Sequence, residues 1–244
     1  MVPIKKFSVG IRPAQKMFRV GSLYGSLVDS LLAARTNKNL GEDYFNEVGK
    51  NLEQGVARLS NERLGNFLHI DVENIVFTKD LYASEKSIDL EKILSEFHFL
   101  WKQVDEILQI RDIRRIGIAA EHQERAKDGH ASATLIRALT GLPPPTHAAK
   151  FLLQLEDRRP PTNKVGVPDF KKDDFINVIR HYYDGELDIE NHNADHINIT
   201  LDVQRYFSPL LSTNIFEDVL TLYKKDFLKE KGILDADLKK RGLV

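Results

Sequence analysis

The most constraining feature of this sequence is an order of predicted elements that occurs twice. Each half begins with an alternating segment around an apolar-Gly-apolar triplet, Val9-Gly10-Ile11 and then Ile116-Gly117-Ile118. Such period-two alternation is typical of a half-buried strand. Each half ends with a long segment, 88–108 and then 215–231, whose apolar residues follow the spacing of an amphipathic helix. The repeated order predicts an internal duplication.

Between these limits, each half contains one short helix and several strands. The short helices are predicted at 24–35 and 132–139, where apolar residues recur at helical spacing. We interpret residues 44–59 as a further short helix. The remaining strands are predicted at 66–72, 74–82, 148–155, 175–182 and 197–206.

We therefore predict an α+β fold of two tandem β-α-β(n)-α repeats, with mainly antiparallel sheets that are each packed by a long helix. The first repeat spans 1–110 and the second 111–244. The two share one core, because a short sheet with one helix layer buries only one of its faces. The alternative is two unrelated halves that both alternate strands and helices. Trp101 lies on the apolar stripe of the first long helix, and we assign it to the core.

Three short segments carry a family resemblance. They are the strand that leads through Tyr82 into the long helix, the segment Arg115-Ile116-Gly117-Ile118, and the strand 201–206 before the last helix. The chain resembles a sporadically distributed family of uncharacterised prokaryotic proteins of similar length. The resemblance implies an internally duplicated α+β fold and a cytosolic accessory role, and it implies no reaction. The sequence departs from the family at Ala119-Ala120 and His122, where members tend to carry Arg-Tyr and then Asn.

Composition excludes several classes of protein. The chain has 35 Lys and Arg against 36 Asp and Glu, a formal net charge of −1, whereas proteins that coat nucleic acids are usually basic. It has no cysteine, which excludes thiolate catalysis, iron–sulfur ligation and cysteine-bound zinc. No apolar core of a secretory signal follows Lys5 and Lys6, and no window approaches a membrane span of about 18 apolar residues. We expect a cytoplasmic protein that makes no membrane contact.

One segment has the composition of a metal site. Residues 190–196 contain two imidazoles and two carboxylates, and we single out His192, Asp195 and His196 as candidate ligands. Because Asn and Asp favour turns, the simpler interpretation is a polar hairpin loop. We assign no catalytic, cofactor-binding or metal residue, and we predict no cofactor. A metal-assisted hydrolase or nuclease that uses the His192/His196 region is the alternative function.

A second alternative is a protein that binds nucleic acid or a small anion. Residues 21–25, before the first helix, would offer backbone N–H groups to an anion, but a simple helix-entry turn is the favoured interpretation. Basic residues gather between 111 and 137, but acidic residues in the same stretch largely offset them. Contact with nucleic acid is therefore not favoured.

The leading hypothesis is a non-enzymatic protein-interaction module that belongs to a multi-gene accessory system. The patchy distribution of the family makes defence against mobile elements one such setting. Binding is expected on loops held by a rigid scaffold, and the candidates are the segments 157–172 and 184–196. The oligomeric state is left open.

Overall fold

One antiparallel sheet organises the computed structural model, which describes residues 4–33, 40, 43–51, 55–81, 89–127, 129–146, 148, 150–161, 165–185 and 196–243. The strands are β1 (Ile4–Pro13), β2 (Glu47–Asn51), β3 (Val56–Asn61), β4 (Asn66–Ile70), β5 (Ile75–Asp80), β6 (Asp112–Arg125), β7 (Leu152–Arg159), β8 (Phe175–Asp184) and β9 (His196–Ser212). The helices are α1 (Arg19–Ser22), α2 (Tyr24–Ala33), α3 (Leu90–Leu108), α4 (Ala131–Thr140) and α5 (Phe216–Lys240). The prediction of an α+β fold with mainly antiparallel strands is confirmed.

The strand order is β2-β3-β4-β5-β1-β6-β9-β8-β7, so the sheet is continuous across the two halves of the chain. The strands of the first half lie on one side of the β1–β6 pair and those of the second half on the other. In that central pair, Gly10 lies directly opposite Gly117 and Ser8 opposite Ala119. We predicted more than one sheet, each packed by a long helix, whereas the described residues form a single sheet of nine strands.

The core lies on one face of this sheet, beneath the helices. Phe7, Val9 and Ile11 of β1 are almost completely buried, and the ring of Phe7 meets that of Phe227 on α5 edge to face at 5.8 Å. Trp101 of α3 is 3% exposed. Its assignment to the core is confirmed.

The first long helix, α3, begins and ends close to its predicted limits, whereas α5 runs further than predicted. Asp89 caps α3, because its side chain accepts a hydrogen bond from the Lys92 amide at 3.1 Å. The helix ends at Gln109, which takes a left-handed conformation with φ of 53°. The last helix, α5, extends to Lys240, nine residues beyond the predicted end at Lys231. None of the helices in the described residues combines the length and apolarity needed to span a bilayer.

The predicted helix at 44–59 is wrong. The structure places β2 and the start of β3 there, paired as an antiparallel hairpin. In β3, Ala57, Leu59 and Asn61 are buried while Arg58 between them is exposed. This alternation has the period of a strand. Pairing with β4 stabilises the segment as a strand and not as a helix.

Candidate functional site

The predicted metal ligands are only partly placed by the structure. His192 and Asp195 lie outside the described residues. His196 is the first residue of β9 and lies opposite Arg125 of β6. Among the described residues, no group of three or more His, Asp or Glu side chains is arranged to hold a metal ion.

The predicted anion site at 21–25 spans the junction between α1 and α2. The Leu23 amide donates to the Arg19 carbonyl at 2.9 Å, and the Leu27 amide donates to the Leu23 carbonyl at 2.9 Å. The Leu23 amide is therefore already bonded within the helical turns and does not face an open position.

Three aromatic rings lie at one end of β8 and β9, and we call Phe170, Phe175 and Tyr206 the aromatic corner. The rings of Phe175 and Tyr206 stack with centroids 4.7 Å apart and planes 6° apart. Phe170 meets Phe175 edge to face at 5.2 Å. On the other side, the guanidinium carbon of Arg115 lies 5.7 Å from the Tyr206 ring centroid. The row of contacts gives a rigid amphipathic surface.

A cavity of about 670 Å³ opens beside the aromatic corner. Pro209 and Leu210 line it together with the three rings. Its charged lining is mixed in sign and consists of Asp112, Arg114, Lys171 and Asp173. The mixture does not create the uniformly positive surface that a phosphate backbone requires.

The segment 165–174 leads into the aromatic corner, and hydrogen bonds fix its base. The Lys171 amide donates to Asp169 Oδ1 at 3.0 Å, and the Ser208 amide donates to Asp174 Oδ1 at 2.8 Å. Ahead of this base, Val165 is fully exposed and Val167 is 93% exposed. Residues 165–172 of the segment belong to the stretch 157–172 predicted as a loop, and residues 157–159 of that stretch are the end of β7 instead.

Small residues form a depression at the centre of the sheet face opposite the core, and we call Ser8, Gly10, Gly117 and Ala119 the glycine groove. Its volume is about 170 Å³. Its other lining residues are Ile11, Asn74, Val76, Arg115, Asp202 and Gln204. The groove therefore combines a floor of small residues with walls that are partly apolar and partly charged or polar.

A chain of hydrogen bonds joins the glycine groove to the aromatic corner. Gln204 Nε2 donates to Asp202 Oδ2 at 2.6 Å, and Gln204 Oε1 accepts from the Tyr206 hydroxyl at 3.1 Å. Arg115 Nη1 donates to Gln204 Oε1 at 3.3 Å and to the Tyr206 hydroxyl at 3.4 Å. The groove and the corner are consequently two ends of one ordered surface.

Asp202 is the acidic member of this surface. Burial raises the pKa of its carboxyl above the ordinary value, and this effect outweighs the hydrogen bond from Gln204 and the electrostatic effects of Arg115 and His181. The charged carboxylate is therefore less well stabilised here than in water.

A third depression, of about 350 Å³, lies at the end of β1. Arg12 and Lys16 both bind Glu73 there, at 2.6 and 3.1 Å. Arg114 lines the same depression, so three cations surround one carboxylate and the cluster is mostly positive.

The sequence predicted the strands of the aromatic corner but missed their surface. Tyr206 occupies an outward position in the alternation of β9, where the preceding outward residues are polar. Gly117 is an outward glycine in the interior of β6. An outward aromatic residue and an outward strand glycine are both typical of a binding surface. Only the pairing of the strands places Tyr206 and Gly117 on the same surface.

Comparison with protein-family models finds no match for this chain, and comparison with curated proteins finds no similar sequence.

Proposed function

We propose that this chain is a non-enzymatic module that binds a protein partner through the segment 165–170 and the aromatic corner. The observation that carries the proposal is the exposure of apolar side chains on a fixed base. Val165, Val167 and Phe170 are exposed within six residues, and Leu210 is 43% exposed across the neighbouring cavity. Several exposed apolar side chains in one short segment are typical of an interaction surface.

The chemistry of the surface favours a protein over the alternatives. Aromatic rings with a polar handle, such as Tyr206, are enriched in protein interfaces. Arg114 and Lys171 share the cavity with Asp112 and Asp173, so the charge beside the rings is balanced. A nucleic acid would require an excess of cations along its path.

We also propose that the two halves, 1–110 and 111–244, arose by duplication. Outward from the central β1–β6 pair, the order is β1-β5-β4-β3-β2 in one half and β6-β9-β8-β7 in the other. In each half, the first strand is central, the last strand pairs with it, and a long helix follows. The family resemblance supports a cytosolic setting within a multi-gene accessory system, which the identity of the neighbouring genes would test.

The binding proposal is tested with the triple variant Val165→Ser, Val167→Ser, Phe170→Ser. The tagged full-length chain is expressed in its own host, and the proteins that copurify in stoichiometric amount are identified by mass spectrometry. The control is Leu222→Ser with Leu228→Ser, because these apolar side chains are also exposed but lie on α5.

We expect the wild type and the control to retain one common partner and the triple variant to lose it, with thermal midpoints that stay close together. Equal capture by all three chains would contradict the proposal. If the triple variant loses its cooperative melting transition, the single variant Val167→Ser decides, since Val167 is 93% exposed and its loss removes little packing.

A further inference from the structure

The glycine groove presents a carboxylate that makes no direct ion pair among the described residues, although Arg115 lines the same groove. Asp202 accepts a hydrogen bond from Gln204, and no Lys or Arg nitrogen of the described chain lies within 4.0 Å of its oxygens. The nearby guanidinium of Arg115 is directed instead to Gln204 Oε1 and the Tyr206 hydroxyl. On the same face, Glu121 has Lys6 at 3.6 Å, so Asp202 differs from a neighbouring acid.

Close packing explains only one of the two glycines in the floor of the groove, because a Cβ at Gly10 would lie 3.1 Å from Val76 Cγ2. A Cβ added at Gly117 would meet only Gln204 Cγ, at the ordinary contact distance of 3.9 Å. Glycine within a strand costs about 0.5–1 kcal/mol relative to alanine. A strand glycine that packing does not require is typical of a place where a ligand or another backbone approaches closely.

The dimensions of the groove fit one side chain. Its volume of about 170 Å³ is close to that of cavities that hold a single benzene ring. Asp202 and Tyr206 are four residues apart on β9, which corresponds to about 13 Å along an extended strand. An extended segment that lies along β9 would therefore place residues four positions apart at the groove and at the aromatic corner.

We propose that the glycine groove receives the ammonium or guanidinium group of a lysine or arginine side chain from the bound partner. This inference rests on the proposed function and specifies the partner segment as extended, with a basic residue four positions from an apolar anchor. The cation pairs with the Asp202 carboxylate, while its aliphatic stem lies over Gly10 and Gly117. A phosphate group is disfavoured in the same position, because the carboxylate repels it.

The experiment uses a displayed library of random peptides selected against the immobilised full-length chain. Selections run in parallel on wild type, Asp202→Asn, Gly117→Val, the control Glu121→Gln and the triple variant Val165→Ser, Val167→Ser, Phe170→Ser. The asparagine variant keeps an acceptor for Gln204 and removes only the charge, whereas the valine variant fills the groove. Selected peptides are then synthesised with the basic residue or with glutamine in its place, and their affinities for wild type and Asp202→Asn are measured.

We expect the wild type and Glu121→Gln to enrich peptides with Lys or Arg four positions from an aromatic residue or proline. Asp202→Asn and Gly117→Val should lose the preference for the basic residue and keep the apolar one. A basic peptide should bind Asp202→Asn about tenfold more weakly than wild type, and its glutamine version should bind both chains equally.

Two results would overturn the inference and can be told apart. The groove would be refuted as a cation site if the wild type enriched apolar anchors without a basic residue. It would also be refuted if Asp202→Asn weakened the affinities of the basic and glutamine peptides equally. Either result leaves the proposed function standing. If the wild type enriches no peptide more strongly than the Val165, Val167 and Phe170 triple variant does, the groove inference and the proposed function are refuted together.

Discussion

The side-chain hydroxyl of Tyr223 accepts a hydrogen bond from the backbone amide of Ile118, with an N···O distance of 3.1 Å. The same hydroxyl donates to the carbonyl of Val203, and Ile118 and Val203 lie opposite each other in the β6–β9 pair. The ring itself is completely buried. One tyrosine of α5 thus fixes the helix to the two strands whose other face carries Gly117 and Asp202.

Replacing Tyr223 with phenylalanine tests this connection. The change leaves the buried amide of Ile118 and the carbonyl of Val203 without the hydroxyl, which should lower the free energy of unfolding by about 1–3 kcal/mol. Urea denaturation followed by circular dichroism measures it. Tyr24→Phe is the control, because the Tyr24 hydroxyl makes an exposed hydrogen bond to the Gly49 carbonyl. Equal losses in the two variants would contradict the assignment.

Trp101 should contribute more than any surface residue of α3. It is 3% exposed, and its ring lies 5.0 Å from that of Phe216 at the start of α5. Trp101→Ala should lower the free energy of unfolding by about 3–5 kcal/mol, because a large apolar side chain leaves a cavity between the two helices. The exposed neighbour Lys102→Ala should change it by about 0.5 kcal/mol or less. A loss at Trp101 as small as at Lys102 would place the indole outside the core.

Two glycines should respond to alanine in opposite directions. Gly65 has φ of +67°, and a Cβ there would lie 1.7 Å from the Asp80 carbonyl oxygen. Gly65→Ala should therefore cost about 1–3 kcal/mol in backbone strain alone, with further loss from the displaced strand end. Gly117→Ala adds a Cβ at an ordinary contact distance of 3.9 Å from Gln204 Cγ and should raise stability by about 0.5–1 kcal/mol. Chemical denaturation of both variants measures the difference, and destabilisation by Gly117→Ala would show that the fold requires this glycine.

The sequence predicts the elements that depend on local pattern. The stripe of α3 and its cap at Asp89 are visible in the residues themselves, and so is the alternation of β9. The region 44–59 was predicted wrongly because its apolar spacing does not separate a short helix from a hairpin. The region forms a hairpin because β3 pairs with β4 and buries Ala57 and Leu59.

The surface sites depend on the order of strands, which no local pattern contains. The alternation of β1 and β6 already places Gly10 and Gly117 on outward positions. They form one groove only because β1 and β6 are neighbours in the sheet although many residues separate them along the chain. The stacking of Phe175 on Tyr206 likewise requires the β8–β9 register.

Asp202 should reduce stability at neutral pH, and the sign follows from its pKa. Burial raises the pKa of the folded-state carboxyl above the ordinary value of 3.8, so the folded chain holds this proton at a pH where the unfolded chain has released it. The stability of the wild type therefore falls as pH rises through that interval. Asp202→Asn keeps the acceptor for Gln204 and has no charge to bury, so it should be the more stable chain at about pH 7.

The difference in stability between Asp202→Asn and the wild type should shrink as pH falls through the raised pKa of Asp202. It should approach zero below the ordinary carboxyl pKa of about 3.9. Thermal midpoints of both chains, measured from about pH 7 to about pH 4, test this. Glu121→Gln is the control, because Lys6 lies 3.6 Å from that carboxylate and its neutralisation should bring no gain. The prediction is contradicted if Asp202→Asn is less stable than wild type at neutral pH, or if the difference between their thermal midpoints does not change with pH. Either result would show that the carboxylate is already well paired. The expected result would mean that the groove keeps a charge which the fold alone does not favour, as a site for a cation requires.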